Sequence, residues 1–199
     1  MDGKNSKNES LAGAVQALEN GGVIIHPTDT CYGLACSIFS QSALEKLYRL
    51  KKMPVTKPVS ILVSSLAQAK KFGEWNETAK KLAAKFWPGP LTLILRLTEK
   101  VPVFLNPGTA TIGIRFPAHA LTMEIIRALG HPMTTTSANI SGGKEAYEVS
   151  EIDENLRGKN LVGVDFLMDG GQIPRTLPST IVDVSENYAK LVRTGPVRI

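Results

Sequence analysis

The feature that most constrains this chain is an alternation of short apolar runs with helical patterns, broken by proline and glycine, from residue 10 to its end. Apolar runs this short, bounded by turn formers, read as strands. Strands are expected at 23–25, 59–63, 91–97, 111–115, 133–136, 161–165, 180–184 and 190–193. Helical patterns lie between them at 42–50, 66–72, 77–86, 121–129 and 150–156, with Leu44, Leu47 and Leu50 marking one face of the first. An earlier helix is expected from Ser10, a hydroxyl cap, with Leu11, Ala14, Val15 and Leu18 at helical spacing and Gly21-Gly22 ending it. Trp87-Pro88-Gly89-Pro90 stops another, because proline cannot continue a helix. This order implies an α/β fold with a twisted sheet flanked by helices. The unequal connections favour a mixed sheet over a purely parallel one. Residues 1–9 read as a disordered lead-in and 10–199 as one domain without internal repeats.

With 199 residues and 43% hydrophobic content, the chain can build one ordinary core. No apolar run reaches bilayer length, and the polar N-terminus lacks the apolar stretch of a signal peptide. The two cysteines, Cys31 and Cys36, have no second pair to complete a zinc site. Free thiols in a reducing compartment are the favoured reading, a bridge the lesser one. A soluble cytoplasmic protein is therefore expected. The net charge of +5 and pI near 9.2 suit a polyanionic partner, such as nucleic acid or nucleotide phosphate. Scattered surface lysines would give the same figure, and no run of five basic residues occurs.

Several chemistries are disfavoured. There is no G-x-S-x-G, and His26, His119 and His131 are far apart in sequence, so serine-hydrolase logic fails. Neither G-x-G-x-x-G nor a Walker A pattern is present. Three stretches remain. "IIHPTDTCYGL" ends an apolar run in hydroxyls and one carboxylate, as either a solvent loop or a ligand-binding strand edge would. "LYRLKKMPVTKPVSILV" groups Arg49, Lys51, Lys52 and Lys57 before a strand. A solvated helix end explains cations there, but the prolines fix the backbone that carries them. "TTTSANISGGK" sets Ser137 and Asn139 ahead of Gly142-Gly143, where backbone N–H groups can form an anion nest or only a plain turn. Arg115 ends the alternating TIGIR, and a strand-end arginine can grip a carboxylate with two parallel hydrogen bonds.

In order and wording these stretches resemble the YrdC-domain family of L-threonylcarbamoyl-AMP synthases. The anchors are "HPTDTCYGL", "LKKMP..KP", "WPGPLT", "TIGIRFPAH", "TSANISG", "PSTIVDV" and "LVRTGPV", running from Gly21 to about Pro196. The resemblance, to the single-domain type, implies a YrdC-like twisted mixed sheet with a positively charged cleft. It implies that L-threonine, bicarbonate and ATP, with Mg2+, give threonylcarbamoyl-adenylate and pyrophosphate. Downstream threonylcarbamoyl-transferase proteins would then modify an adenosine beside the tRNA anticodon. On the matching positions, Thr28, Arg115, Thr135 and Ser179 would seat threonine. Lys51, Thr111, Ser137, Asn139 and Arg193 would face ATP, with Lys51, Ser137 and Asn139 closest to the chemistry. No protein metal ligand is assigned.

One departure stands out: the family pairs the lysine with an arginine two residues on, and here that position is Met53. Lys52 or Lys57 could take its place, without the planar fork of a guanidinium. Two other readings stand beside the synthase. One is a non-catalytic relative that binds tRNA or double-stranded RNA. The other is a carbamoyl-transfer relative with another substrate.

Overall fold

A computed structural model describes residues 2–157, 163–186 and 188–199, with side chains from residue 9 onward. The elements in chain order are α1 (Asp2–Glu19), β1 (Val23–His26), β2 (Gly33–Cys36), α2 (Gln41–Lys51), β3 (Ser60–Leu62), α3 (Leu66–Phe72), α4 (Glu77–Phe86) and β4 (Leu91–Arg96). Then come β5 (Thr111–Arg115), α5 (Ala120–Leu129), β6 (Met133–Ser137), a 3-10 turn (Val149–Glu151), α6 (Glu154–Arg157), β7 (Phe166–Leu167), β8 (Thr180–Asp183) and β9 (Lys190–Arg193). Among the described residues the strands form one nine-stranded sheet in the order β7-β1-β2-β6-β3-β5-β4-β8-β9. The β1/β7, β3/β5 and β4/β8 pairs are parallel and the others antiparallel, so the sheet is mixed as expected.

Four details differ from the sequence reading. Helix α1 begins at Asp2, so Ser10 lies inside it and caps nothing. No proline occurs in residues 1–9, so an established helix can propagate backward through them. Strand β2 had no sequence signal, because Gly-Leu-Ala-Cys lacks β-branched residues; it forms by pairing with β1. The helix expected at 150–156 splits into the 3-10 turn and α6, since Ile152 adopts an extended backbone and is buried. Of the strand expected at 161–165, residues 161 and 162 lie outside the described residues, and the short β7 follows.

The position of the site follows from the two faces of the sheet. One face packs Ile25, Leu34, Ile61, Leu93, Leu95, Ile112 and Ile114 into a core with residues of α2, α3 and α4, such as Leu44, Leu47, Phe72 and Ala83. On the other, Ile24, Ala35, Leu62 and Met133 meet α1 and α5 through Leu18, Ile125 and Ile126. Alternation along a strand keeps residues two apart on one face. Leu62 and Ser60 therefore share a face, as do Met133 and Thr135. Where α1 and α5 no longer cover the sheet, the same strands switch from apolar to hydroxyl side chains. Gly113 is the partner of Ser60 in the register. A Cβ at Gly113 would run into the Ser60 hydroxyl, so the missing side chain keeps this part of the sheet floor clear.

Candidate active site

The uncovered part of the sheet is the floor of a cleft of about 390 Å³. It brings together Thr28, Lys51, Arg115, Thr135, Ser137, Asn139, Ser179 and Arg193, residues spread over most of the sequence. Thr111 shares the face of Arg115 on β5 but lies outside the lining. Sequence reasoning missed Ser60 and Thr92, which also line the cleft. Their signal was available: each is a lone hydroxyl in an apolar strand, at alternate spacing. Glu145 was also missed; it is the one carboxylate in the lining among the described residues.

The turn between β1 and β2 holds one wall. The Thr28 hydroxyl donates to Cys31 O at 2.7 Å and accepts from the backbone N–H groups of Thr30 (3.1 Å) and Cys31 (3.2 Å). Its polar capacity goes into shaping the turn. Thr28 Oγ1 also lies 3.1 Å from Thr30 Oγ1. Thr30 Oγ1 in turn accepts from Arg115 Nη1 at 3.0 Å. Arg115 Nη2 donates to Asp29 Oδ1 at 2.5 Å. Both side chains are nearly sealed, at 6% and 11% exposure. Burial lowers the pKa of Arg115 and the Asp29 carboxylate opposes that shift. Arg115 Nε and Asp29 Oδ2 have no hydrogen-bond partner among the described residues.

The opposite wall is the loop after β6. Lys51, the last residue of α2, is buried and donates to Ser137 O (2.5 Å), Asn139 O (2.9 Å) and Asn139 Oδ1 (2.9 Å). An ammonium has three N–H donors, and all three are used. Ser141 N–H donates back to Lys51 O. Ser137 Oγ donates to Asn139 Oδ1 (2.7 Å), and Asn139 Nδ2 to Gly143 O (2.6 Å). Gly142 adopts φ +85°, a left-handed conformation open to glycine at little cost. Burial lowers the pKa of Lys51 to about 8, with Lys57 adding to the effect.

The third side is closed by Arg193, whose Nε and Nη2 donate to Ser179 O at 3.0 and 2.8 Å, with a further bond from Nη2 to Ser179 Oγ. Ser179 Oγ lies 2.9 Å from Thr92 Oγ1. Lys57 is the least engaged of the four cations in the lining, with one long contact, 3.5 Å to Ser141 Oγ. Met53 is buried and lines the cleft close by, while the exposed Lys52 caps α2 in a left-handed conformation and is absent from the lining.

The histidines converge only in part, and outside the cleft. His26 is fully buried, with Nδ1 3.1 Å from Pro27 O and 3.3 Å from Thr122 Oγ1. His119 Nδ1 lies 3.4 Å from the same hydroxyl. Cys31 and Cys36 are free thiols, as the favoured reading had it. Burial pushes the Cys36 thiol up to about 12.

Fold and site define a class: a mixed-sheet α/β protein whose cleft sets a buried arginine, suited to a carboxylate, across from a glycine-bearing loop and further cations. The Sua5_yciO_yrdC family, described as telomere recombination, matches residues 16–195, and the chain belongs to it. A putative threonylcarbamoyl-AMP synthase of Methanocaldococcus jannaschii is 36% identical over 180 residues, 90% of this chain and 83% of that protein. The threonylcarbamoyl-AMP synthase of Pyrococcus abyssi is 32% identical over 179 residues, 89% of this chain and 52% of that protein. The chain thus spans about half the length of the Pyrococcus relative. The crystal structure of P. abyssi Sua5 complexed with L-threonine superposes with a TM-score of 0.87 at 31% identity, covering 95% of this chain and 54% of that one. No helix among the described residues is long and apolar enough to cross a membrane.

Proposed function

We propose that this chain makes L-threonylcarbamoyl-AMP from L-threonine, bicarbonate and ATP, releasing pyrophosphate, in the cytoplasm. The product would pass to threonylcarbamoyl-transferase proteins that modify the adenosine next to a tRNA anticodon. The observation that carries this reading is the cleft, where the buried Arg115 faces the loop of Ser137 and Asn139 across a floor of hydroxyls. In the reaction, the threonine amine and bicarbonate give N-carboxythreonine with loss of water, and an oxygen of its carbamate group attacks the α-phosphorus, forming a C–O–P linkage. The bond from that phosphorus to the pyrophosphate oxygen breaks. Negative charge builds on phosphate oxygens, and prepositioned cations and N–H donors stabilise it.

The residue roles in this reading are the following. Arg115 grips the threonine carboxylate, helped by Thr135 and Ser179, with Thr28 shaping the turn beside it. Ser137, Asn139 and Arg193 face ATP. Lys51 serves that subsite from beneath, because its three donors already hold the Ser137–Asn139 backbone and the Asn139 side chain. Thr111, on the Arg115 face of β5, is assigned to ATP with Ser137, Asn139 and Arg193. Magnesium keeps most of its water and binds largely through substrate phosphates, which suits a cleft with Glu145 as its one lining carboxylate among the described residues. When bound, it would neutralise charge on the triphosphate.

Met53 is the observation on the side of a second reading, a family relative with a different substrate. Calorimetry separates the two. The synthase reading expects L-threonine to bind, and to bind more tightly with ATP present. Absence of threonine binding with and without nucleotide would leave the second reading standing.

A further inference from the structure

We propose that Asp29 is the positioning residue for Arg115: its carboxylate holds the guanidinium so that the remaining donors meet the substrate carboxylate in one fixed orientation. The inference rests on the proposed threonine-binding role of Arg115. Asp29 itself is outside the cleft lining, so it acts through the arginine. Three observations carry the argument. First, Arg115 is held at both nitrogens of its tip, Nη2 on Asp29 and Nη1 on Thr30, so it cannot rotate without breaking two bonds. Second, the Thr30 end of this clamp is anchored through Thr28 to the turn backbone, so the guanidinium is tied to the β1–β2 turn as a unit. Third, among the described residues the other carboxylate oxygen of Asp29 is buried without a hydrogen-bond partner, which is costly. Arg115 is the hydrogen-bond partner seen for the carboxylate among them.

The geometry also determines what is left over. Five N–H donors are available on a guanidinium, and the two contacts engage one on each terminal nitrogen. Nε is buried, and the second N–H of each terminal nitrogen is left for a ligand.

The test compares wild type, Asp29→Asn, Asp29→Ala, Arg115→Lys and the Asp29→Ala/Arg115→Lys double variant. The kinetic readout is pyrophosphate release against L-threonine and against ATP. Loss of a charge-assisted contact predicts that Asp29→Ala raises the threonine KM about ten- to a hundredfold, with the ATP KM nearly unchanged. Asp29→Asn keeps an acceptor oxygen and should recover much of that loss. In the Arg115→Lys background, Asp29→Ala should add little, because the clamp is already broken. The second readout needs no substrate: side-chain NMR of Arg115 should show restricted guanidinium rotation in wild type and free rotation in Asp29→Ala. Equal rises in both KM values, an additive double variant, or an Arg115 side chain equally restricted in Asp29→Ala would each overturn the proposal. If wild type releases no pyrophosphate with threonine, the synthase reading fails, and the NMR comparison still decides whether Asp29 orients Arg115.

Discussion

Lys57 lies on the cleft rim with a single 3.5 Å contact to Ser141, while Lys51, Arg115 and Arg193 are each held by two or more protein bonds. A cation already spent on protein acceptors gives less to an incoming phosphate than one with free donors. Met53 offers no charge there, and Lys52 is not part of the lining. Lys57 is thus the side chain expected to meet the phosphates where the family has an arginine. Lys57→Ala should lower pyrophosphate release by about ten- to a hundredfold, the worth of one charge-assisted contact. Lys52→Ala should be neutral. Met53→Arg should restore much of the activity lost in Lys57→Ala when the two are combined. Steady-state rates of these three variants beside wild type check this, and a neutral Lys57→Ala would contradict it. The sequence left Lys52 and Lys57 level, because nothing local says that α2 ends with Lys52 turned away from the cleft.

At the scale of elements, the packing of β1 against α5 contains a pH dependence. His26 is fully buried between Pro27 O and Thr122 Oγ1, and burial lowers its pKa from 6.5 to about 4, with Arg115 and His119 contributing in the same direction. Between those two values the unfolded chain binds the proton and the folded one does not. Stability from this group is therefore complete above pH 6.5 and is lost as pH falls toward 4. The shift corresponds to about 3 kcal/mol. Urea denaturation at pH 7 and pH 4.5 should show most of that loss in wild type. His26→Asn, which cannot titrate, should reduce the difference clearly; an unchanged difference would reject this account. Elements with a strong local pattern were legible from sequence: α3, α4 and β5 fall where their apolar spacing and flanking breakers put them. Strand β2 was not, because it is specified by pairing with β1 and β6 and not by its own residues. The site divides in the same way. Arg115, Ser137 and Asn139 were readable as types in a pattern. The burial of Lys51 was not, since its partners are carbonyls contributed by a loop more than eighty residues away.

For the whole molecule, the central point is that one cleft forms where α1 and α5 stop covering the sheet, and that residues from the β1–β2 turn, α2, β5, β6 and β9 meet in it. No single stretch could seat threonine and ATP together; the topology of the sheet makes them neighbours. The measurement that tests this most directly is pyrophosphate release by the purified chain with ATP and magnesium, adding L-threonine and bicarbonate singly and then together. The account predicts release that requires both, and that is nearly abolished in Arg115→Ala. Release that ignores threonine, or a wild-type protein inactive with both substrates present, would contradict it.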